Sequence, residues 1–387
     1  MDRLVTDTEF RLGERLERLR EMLLGDKDMT AAEELREIGD KLERKELTVA
    51  FCGHFSAGKS SLINRLCGKT VMPASPLPTS ANVVLIREGA PRALLTPADP
   101  AKAKAEVPVA EVADYCRNGE EYTRVELWEN LELPLRGGVL LDTPGVDSND
   151  AGHALATHSA LHLADVVFYV MDYNHVSSET NLSFAKSLSD YGKPVYMVVN
   201  QIDKHREEEL AFAEYRDSVS QAFRVWDIET KGIFYISLKR EDAPENMLPE
   251  LKEAIGVLLA KGSGLVEYGA YVSAAQTVQG HLARAAEAVR AGREQLEEET
   301  GSETDVSAME EELRALDTAD SMGEQVGEAR KREWLQRIGN LLETAQLMTP
   351  PLRELAGLYW IEVNISVSAN LRNNRFRLPG FVTLFLI

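Results

Sequence analysis

At 387 residues the chain is longer than one ordinary domain, and with 44% hydrophobic residues it can bury a core. Its formal net charge of −20 excludes a broad nucleic-acid-binding surface, which needs a positive field, and opposes general electrostatic adhesion to anionic lipid. The three cysteines, Cys52, Cys67 and Cys116, form no C-x-x-C pair and suit a reducing cytosol; no apolar signal core follows Met1, and no run reaches the ~20 apolar residues of a membrane span.

Residues 6–24 set Leu12, Leu16, Leu19 and Leu23 on one stripe of a helix, with Thr6-x-x-Glu9 as its expected capping box. After a break at Gly25-Asp26-Lys27-Asp28, a second helix carries Leu35, Ile38 and Leu42 on one face, and Thr30-x-x-Glu33 is the box expected to start it. Both stripes need a partner to cover them.

Gly53-His54-Phe55-Ser56-Ala57-Gly58-Lys59-Ser60 fits G-x-x-x-x-G-K-[ST], between a predicted strand at 47–52 and a predicted helix at 61–66. Small residues let backbone N–H groups face a polyphosphate, and the helix N-terminus adds partial positive charge. The cradle is expected to run through Ser61, with Lys59 reaching β/γ-phosphates and the Ser60 hydroxyl serving Mg²⁺. A chance glycine-rich turn is the competing reading, and the flanking strand and helix weigh against it.

The Pro-rich stretch at 72–80 is a loop whose Thr79 stands where a nucleotide switch closes a threonine over γ-phosphate and Mg²⁺. A strand is expected at 82–86, and residues 90–120 read as an excursion with one short helix. Strands at 125–128 and 138–141 follow, the second ending in Asp142-Thr143-Pro144-Gly145. In this D-x-x-G element Asp142 would serve Mg²⁺ through its water shell and the Gly145 N–H would face the γ-phosphate. The next residue is Val146, not the glutamine that orients water in Ras-like switches, so hydrolysis must be organised by other groups.

His158 and His162 have the i, i+4 spacing of metal ligands but no accompanying acidic pattern; with His153 they read as ordinary helix-surface histidines. Near-continuous apolar runs at 165–171 and 194–199 belong to a parallel sheet covered on both faces. The second ends in Asn200-Gln201-Ile202-Asp203, which fits the guanine-reading pattern N-K-x-D with Gln201 in place of lysine. Asp203 can accept from guanine N1 and N2, a pairing adenine does not offer, while Asn200 would brace the neighbouring loops. Gln201 or Lys204 would supply the packing over the purine ring. A helix at 205–224 leads to a last strand at 232–236 and a loop whose Ser237 and Lys239 stand where a fifth base-contacting element is expected.

The remainder reads as helices: a stripe of Val278, Leu282, Ala285, Val289 and Leu296, then Met309, Leu313 and Leu316, then Trp334, Ile338, Leu341, Leu342 and Ala345. These are the expected partners of residues 6–44. Residues 349–387 end in an apolar run, 381–387, that suggests a packed terminal element, a truncated larger protein or an added tail.

In their order and spacing the five nucleotide elements look like a large GTPase, and G-H-F-S-A-G-K-S-S with Leu77-Pro78-Thr79-Ser80 after it resembles the bacterial dynamin-like proteins. The resemblance covers about residues 45–260 by motif and the flanking helices by architecture. It implies an α/β P-loop GTPase domain with a mainly parallel sheet, residues 46–262. It also implies an all-α neck from both termini, residues 1–45 and 263–348, with 349–387 a partial stalk or tail. Ser56 takes the role of the P-loop serine that orients the catalytic water beside a monovalent cation, K⁺ or Na⁺; Phe55 departs from the glutamine of eukaryotic dynamins. The activity implied is Mg²⁺-dependent hydrolysis of GTP, with Ser56, Lys59 and Thr79 as catalytic residues, coupled to homodimerisation through the GTPase faces. In a full-length protein it would drive membrane fusion or scission through a stalk and lipid-binding tip mostly absent here. A natural short form or a GTPase-plus-neck fragment fits that plan, in the cytoplasm or peripheral at the inner face of the cell membrane. The alternatives are a regulatory switch GTPase and a nucleotide-dependent assembly protein without membrane remodelling.

Overall fold

The structure is a computed structural model that describes residues 2–72, 83–99, 101–115, 121–144 and 160–300, with the side chains of 2–11, 55, 113–114, 289 and 292–300 outside the description. It divides into two compact units. One comprises residues 32–277; the other is built from residues at both ends, of which 2–31 and 278–300 are described.

In the terminal unit α1 (Asp2–Gly25) buries Leu12, Leu16, Leu19 and Leu23, the stripe expected from the sequence. It begins before Thr6, so Thr6-x-x-Glu9 lies inside the helix and is not its capping box. Thr30 likewise falls within α2 (Met29–Arg44); the Asp28 carboxylate caps this helix instead, accepting the Ala31 N–H at 3.0 Å. A capping box and an Asp three residues ahead of the same turn share one local pattern, and the longer helix decided between them. Asp28 also accepts from Arg284 at 2.7 Å and lies 2.9 Å from His281 Nδ1. Beyond Leu282, residues 283–288 of the C-terminal helix are exposed, Ala285 among them.

The larger unit is a nine-stranded sheet among the described residues: β1 (Thr48–Gly53), β2 (Val83–Glu88), β3 (Arg92–Pro97), β4 (Ala105–Val107), β5 (Tyr122–Glu129), β6 (Val139–Asp142), β7 (Val166–Asp172), β8 (Val195–Asn200) and β9 (Ile233–Tyr235). Its order is β4-β3-β5-β2-β6-β1-β7-β8-β9. The half from β6 to β9 is parallel, β2 runs antiparallel to β6, and β3 and β4 add antiparallel strands outside β5. The helices are α3 (Lys59–Cys67), the short α4 (Val112–Tyr115), α5 (Glu179–Asp190), α6 (Phe212–Val225), α7 (Leu248–Lys261) and the long α8 (Ser263–Thr300).

Every residue of β1 and β7 is buried, as unbroken apolar strands require when both faces are covered. On one face Phe51, Phe168 and Tyr196 stack at 5.7 and 5.0 Å; on the other Tyr169 packs on Phe184 at 5.3 Å. The excursion expected at 90–120 carries its one short helix, α4, and also two strands that were not expected, β3 and β4. Ala93 and Leu95 point inward alternately, but the run is short and ends at Pro97, where the register shifts.

At the end of the sheet away from Asp142 and Asn200, two lysines hold the turn before β7. Lys41 donates to Leu163 O at 2.7 Å and pairs with Asp165, whose other oxygen accepts the Thr48 N–H at 2.8 Å. Lys193 donates to Leu161 O, Ala164 O and Ser273 Oγ, at 2.6, 2.5 and 2.7 Å. Burial, with Lys41 nearby, holds its ammonium well below the ordinary lysine range. His162 is a correction to the surface reading: it is 5% exposed, with Nε2 2.7 Å from Glu37. His153 and His158 lie outside the described residues. Among those described, no helix is long and apolar enough to cross a membrane, and no cluster of three or more His, Cys, Asp or Glu residues is placed to hold a metal.

Candidate functional site

Three of the motifs leave the sheet at the C-terminal ends of parallel strands: the glycine-rich loop after β1, Asp142 at the end of β6 and Asn200 at the end of β8. Ligands of open α/β sheets bind in the crevice outside these strand ends.

Gly53 has φ 146, and a Cβ there would stand 2.0 Å from Val170 O; only glycine lets the loop leave β1 so close to β7. The loop then makes a short 3₁₀ turn, 55–57, and Gly58, at φ 89, opens α3. A Cβ on Gly58 would meet the Asn200 amide at 2.6 Å, because Asn200 Nδ2 inserts beneath the loop and donates to Ala57 O at 2.8 Å. Lys59 is 5% exposed, and its ammonium donates to Gly53 O at 2.8 Å and His54 O at 3.1 Å, folded over the loop it belongs to. Ser56 and Ser61 are exposed, and Ser56 Oγ lies 3.4 Å from His54 Nδ1.

Ser60, in the first turn of α3, donates to Asp142 Oδ2 at 3.0 Å. Asp142 is fully buried, and its Oδ1 has no hydrogen-bond partner among the described residues. Burial pushes its carboxyl up to about 6, against the pull of the Lys59 charge and the Ser60 hydroxyl. A buried carboxylate with one oxygen on a serine hydroxyl and the other without a donor fits the hard-oxygen donor set of Mg²⁺. Thr79 and Gly145 lie outside the described residues, as does the Phe55 side chain.

Asn200 accepts the Gln201 N–H at 2.8 Å, and this bond stabilises Gln201 in the left-handed region, φ 68 and ψ 33. Gln201 Nε2 donates to Ser56 O at 2.9 Å, so two residues of the N-Q-x-D element grip the glycine-rich loop. Asp203 follows in a 3₁₀ turn and accepts the Ser237 hydroxyl at 2.7 Å. Ser237 Oγ in turn accepts the N–H groups of Lys239 and Arg240, at 3.2 and 3.0 Å, which curls the loop around it; the Lys239 side chain is exposed. Lys204 is exposed and its ammonium stands 3.9 Å from Asp172.

Asp172 belongs to this edge of the site although no motif marks it. It ends β7 in register with Asn200, is 3% exposed, and lies 2.6 Å from His175 Nδ1 while accepting the Asn174 N–H. Its only signal in the sequence is an acidic residue closing a buried parallel strand. The structure thus brings together Gly53–Ser61, Asp142, Asn200–Lys204 and Ser237–Lys239. The arrangement is suited to hold a polyphosphate and a divalent cation at one end and a purine with adjacent N–H donors at the other.

Residues 49–203 match the family model described as dynamin family. The chain is 38% identical over 239 residues to dynamin-like protein A of Bacillus subtilis strain 168, covering 61% of this chain and 20% of that protein, so it spans about a fifth of that curated relative's length. It is 26% identical over 128 residues to GTPase Der of Campylobacter jejuni, 32% of this chain and 28% of that one. Among solved structures, an oligomerised bacterial dynamin pair aligns with a TM-score of 0.49 at 20% identity, over 62% of this chain and 38% of that one.

Proposed function

We propose that the chain, whose residues 49–203 match the dynamin family model, hydrolyses GTP in a Mg²⁺-dependent reaction completed when two GTPase domains meet across their nucleotide faces. The observation that carries this reading is the pairing of Ser60 with a buried Asp142 whose second oxygen has no donor among the described residues, at the same sheet edge as Lys59 and the Asp203–Ser237 pair.

In the proposed reaction the backbone N–H groups of the loop from Gly53 to Ser61 face the phosphates, and Lys59 turns from Gly53 O and His54 O to their oxygens. Phosphoryl transfer asks for positioning and charge stabilisation rather than covalent chemistry, which is what this set offers. Ser60 and Asp142, with Thr79, would hold Mg²⁺. When bound, that ion neutralises charge developing between the β- and γ-phosphates. Asp203 reads guanine while Asn200 and Gln201 brace the loop, with Lys204, Ser237 and Lys239 around the base. Ser56 is the proposed group that orients water, with K⁺ or Na⁺ beside it, since Val146 stands where a Ras-like glutamine would. Residues 1–45 and 263–348 are the proposed neck, and membrane fusion or scission is the proposed outcome of assembly.

The test is specific GTP turnover against protein concentration, with Lys59→Ala and Ser56→Ala as controls. Activity per molecule that rises with concentration and disappears in Lys59→Ala supports catalysis across a dimer. Activity flat with concentration sinks the dimer mechanism and leaves a switch GTPase; intact GTP binding without turnover leaves an assembly protein.

A further inference from the structure

On the reading of 200–203 and 237–240 as a guanine pocket, we propose that Asn246 is a positioning residue for base specificity. It fixes Ser237 so that Ser237 holds the Asp203 carboxylate where both guanine N–H groups can reach it.

Asn246 lies outside every nucleotide motif, two residues before α7. Its side chain is 8% exposed, and its amide is fully used. Oδ1 accepts the N–H groups of Ser237 and Leu248, at 3.1 and 3.2 Å; Nδ2 donates to Ser237 O and Arg240 O, at 2.8 and 3.0 Å. Two N–H and two carbonyl partners are satisfied by one orientation of the amide only. Both backbone groups of the buried Ser237 are therefore set by this single side chain, and its hydroxyl is left to donate to Asp203.

Neither end of the relay is loose. The Met247 N–H bonds Tyr235 O at 2.8 Å, and the Ile202 N–H bonds Ile236 O at 3.2 Å, so Asn246 and Asp203 are both referenced to β9 and the residue after it. Arg65 of α3 closes the loop from the phosphate side, donating to Leu238 O at 3.4 Å and pairing with Glu241 at 2.5 Å. Freed of Asn246, Ser237 would no longer present its hydroxyl from a fixed point. Asp203 would then keep one bond to the base more easily than two, because two adjacent N–H groups are met together only by a carboxylate of set orientation.

Hypoxanthine lacks the N2 amino group of guanine, so the ratio of IDP to GDP dissociation constants reads the second bond. We would measure both by competition on the full chain, together with KM and kcat for GTP. Asn246→Ala should narrow the preference for GDP by about tenfold, the worth of one hydrogen bond to a charged group, with the loss in KM rather than kcat. In an Asp203→Ala background the same change should move the ratio no further. A folded Asn246→Ala chain with the parent ratio, or with GDP and IDP weakened equally, overturns the proposal. If Asn246→Ala does not fold, Ser237→Ala removes the hydroxyl on Asp203 while leaving the Asn246 bonds to the Ser237 backbone, and should narrow the ratio likewise; an unchanged ratio there overturns it too. A parent chain with no preference for GDP over IDP removes the guanine pocket itself, and this relay with it.

Discussion

Gln201 Nε2 donates to the backbone carbonyl of Ser56 at 2.9 Å, so the residue at the lysine position of the N-K-x-D pattern fastens the glycine-rich loop. A lysine would carry an ammonium across the same gap; the amide makes the bond without charge. Gln201→Ala should weaken GDP binding by about threefold to tenfold, the span of one neutral hydrogen bond. Gln201→Lys should bind GDP nearly as the parent does. Isothermal titration of the three chains with GDP checks both.

Ser60 and Asp142 should govern the metal requirement. Ser60→Ala removes the hydroxyl that orients Asp142, and the Mg²⁺ concentration for half-maximal GTP turnover should rise by about tenfold or more. GDP affinity in EDTA should change little, because the loop N–H groups and Lys59 are untouched. A Mg²⁺ titration at saturating GTP that matches the parent would remove Ser60 from the metal set.

Asp28 should make the terminal unit acid-sensitive. Burial acts to raise its carboxyl, but the Ala31 N–H, Arg284 and His281 outweigh it and bring the pKa from 3.8 down to about 2. A depressed carboxylate adds stability that is fully present above the ordinary aspartate value and is lost as pH falls through about 2. Asp28→Ala should cost about 1 kcal/mol at pH 7, the worth of a helix cap, and the gap to the parent should close between pH 4 and 2. Urea unfolding across that range, followed by circular dichroism, measures it.

Lys41 and Asp165 should behave as a buried pair whose halves are not separable. Lys41→Met leaves the Asp165 carboxylate buried with the Thr48 N–H as its remaining described bond, at a cost of about 3–5 kcal/mol. Adding Asp165→Asn removes the stranded charge, so the double variant should be more stable than Lys41→Met alone. Chemical denaturation of the single and double variants gives the coupling directly.

The strands that carry the site were legible because burial on both faces leaves an unbroken apolar run, as in β1, β7 and β8, and because Gly53 and Gly58 stand where a Cβ cannot. The motifs on their ends follow from that. β3 and β4 were not legible: one alternates for only a few residues before Pro97 and pairs with the edge of β5, and the other is three residues long and pairs with β3. His162 misled because i, i+4 spacing says nothing about what comes to cover a residue: it sits in the turn before β7, beside Glu37 from a distant segment. Asn246 and Asp172 carry no local pattern at all. Their roles come from which strand ends and loops the sheet order sets side by side, information that resides in pairing rather than in spacing.

The caged ammonium of Lys193 also gives the fold a built-in chemical clock. An amine reacts with acylating reagents only when it is unprotonated and reachable. Lys193 fails the second condition while Leu161 O, Ala164 O and Ser273 Oγ enclose it. Its labelling rate, read by mass spectrometry against that of exposed lysines such as Lys204, therefore times the opening of the turn before β7 in the otherwise folded chain.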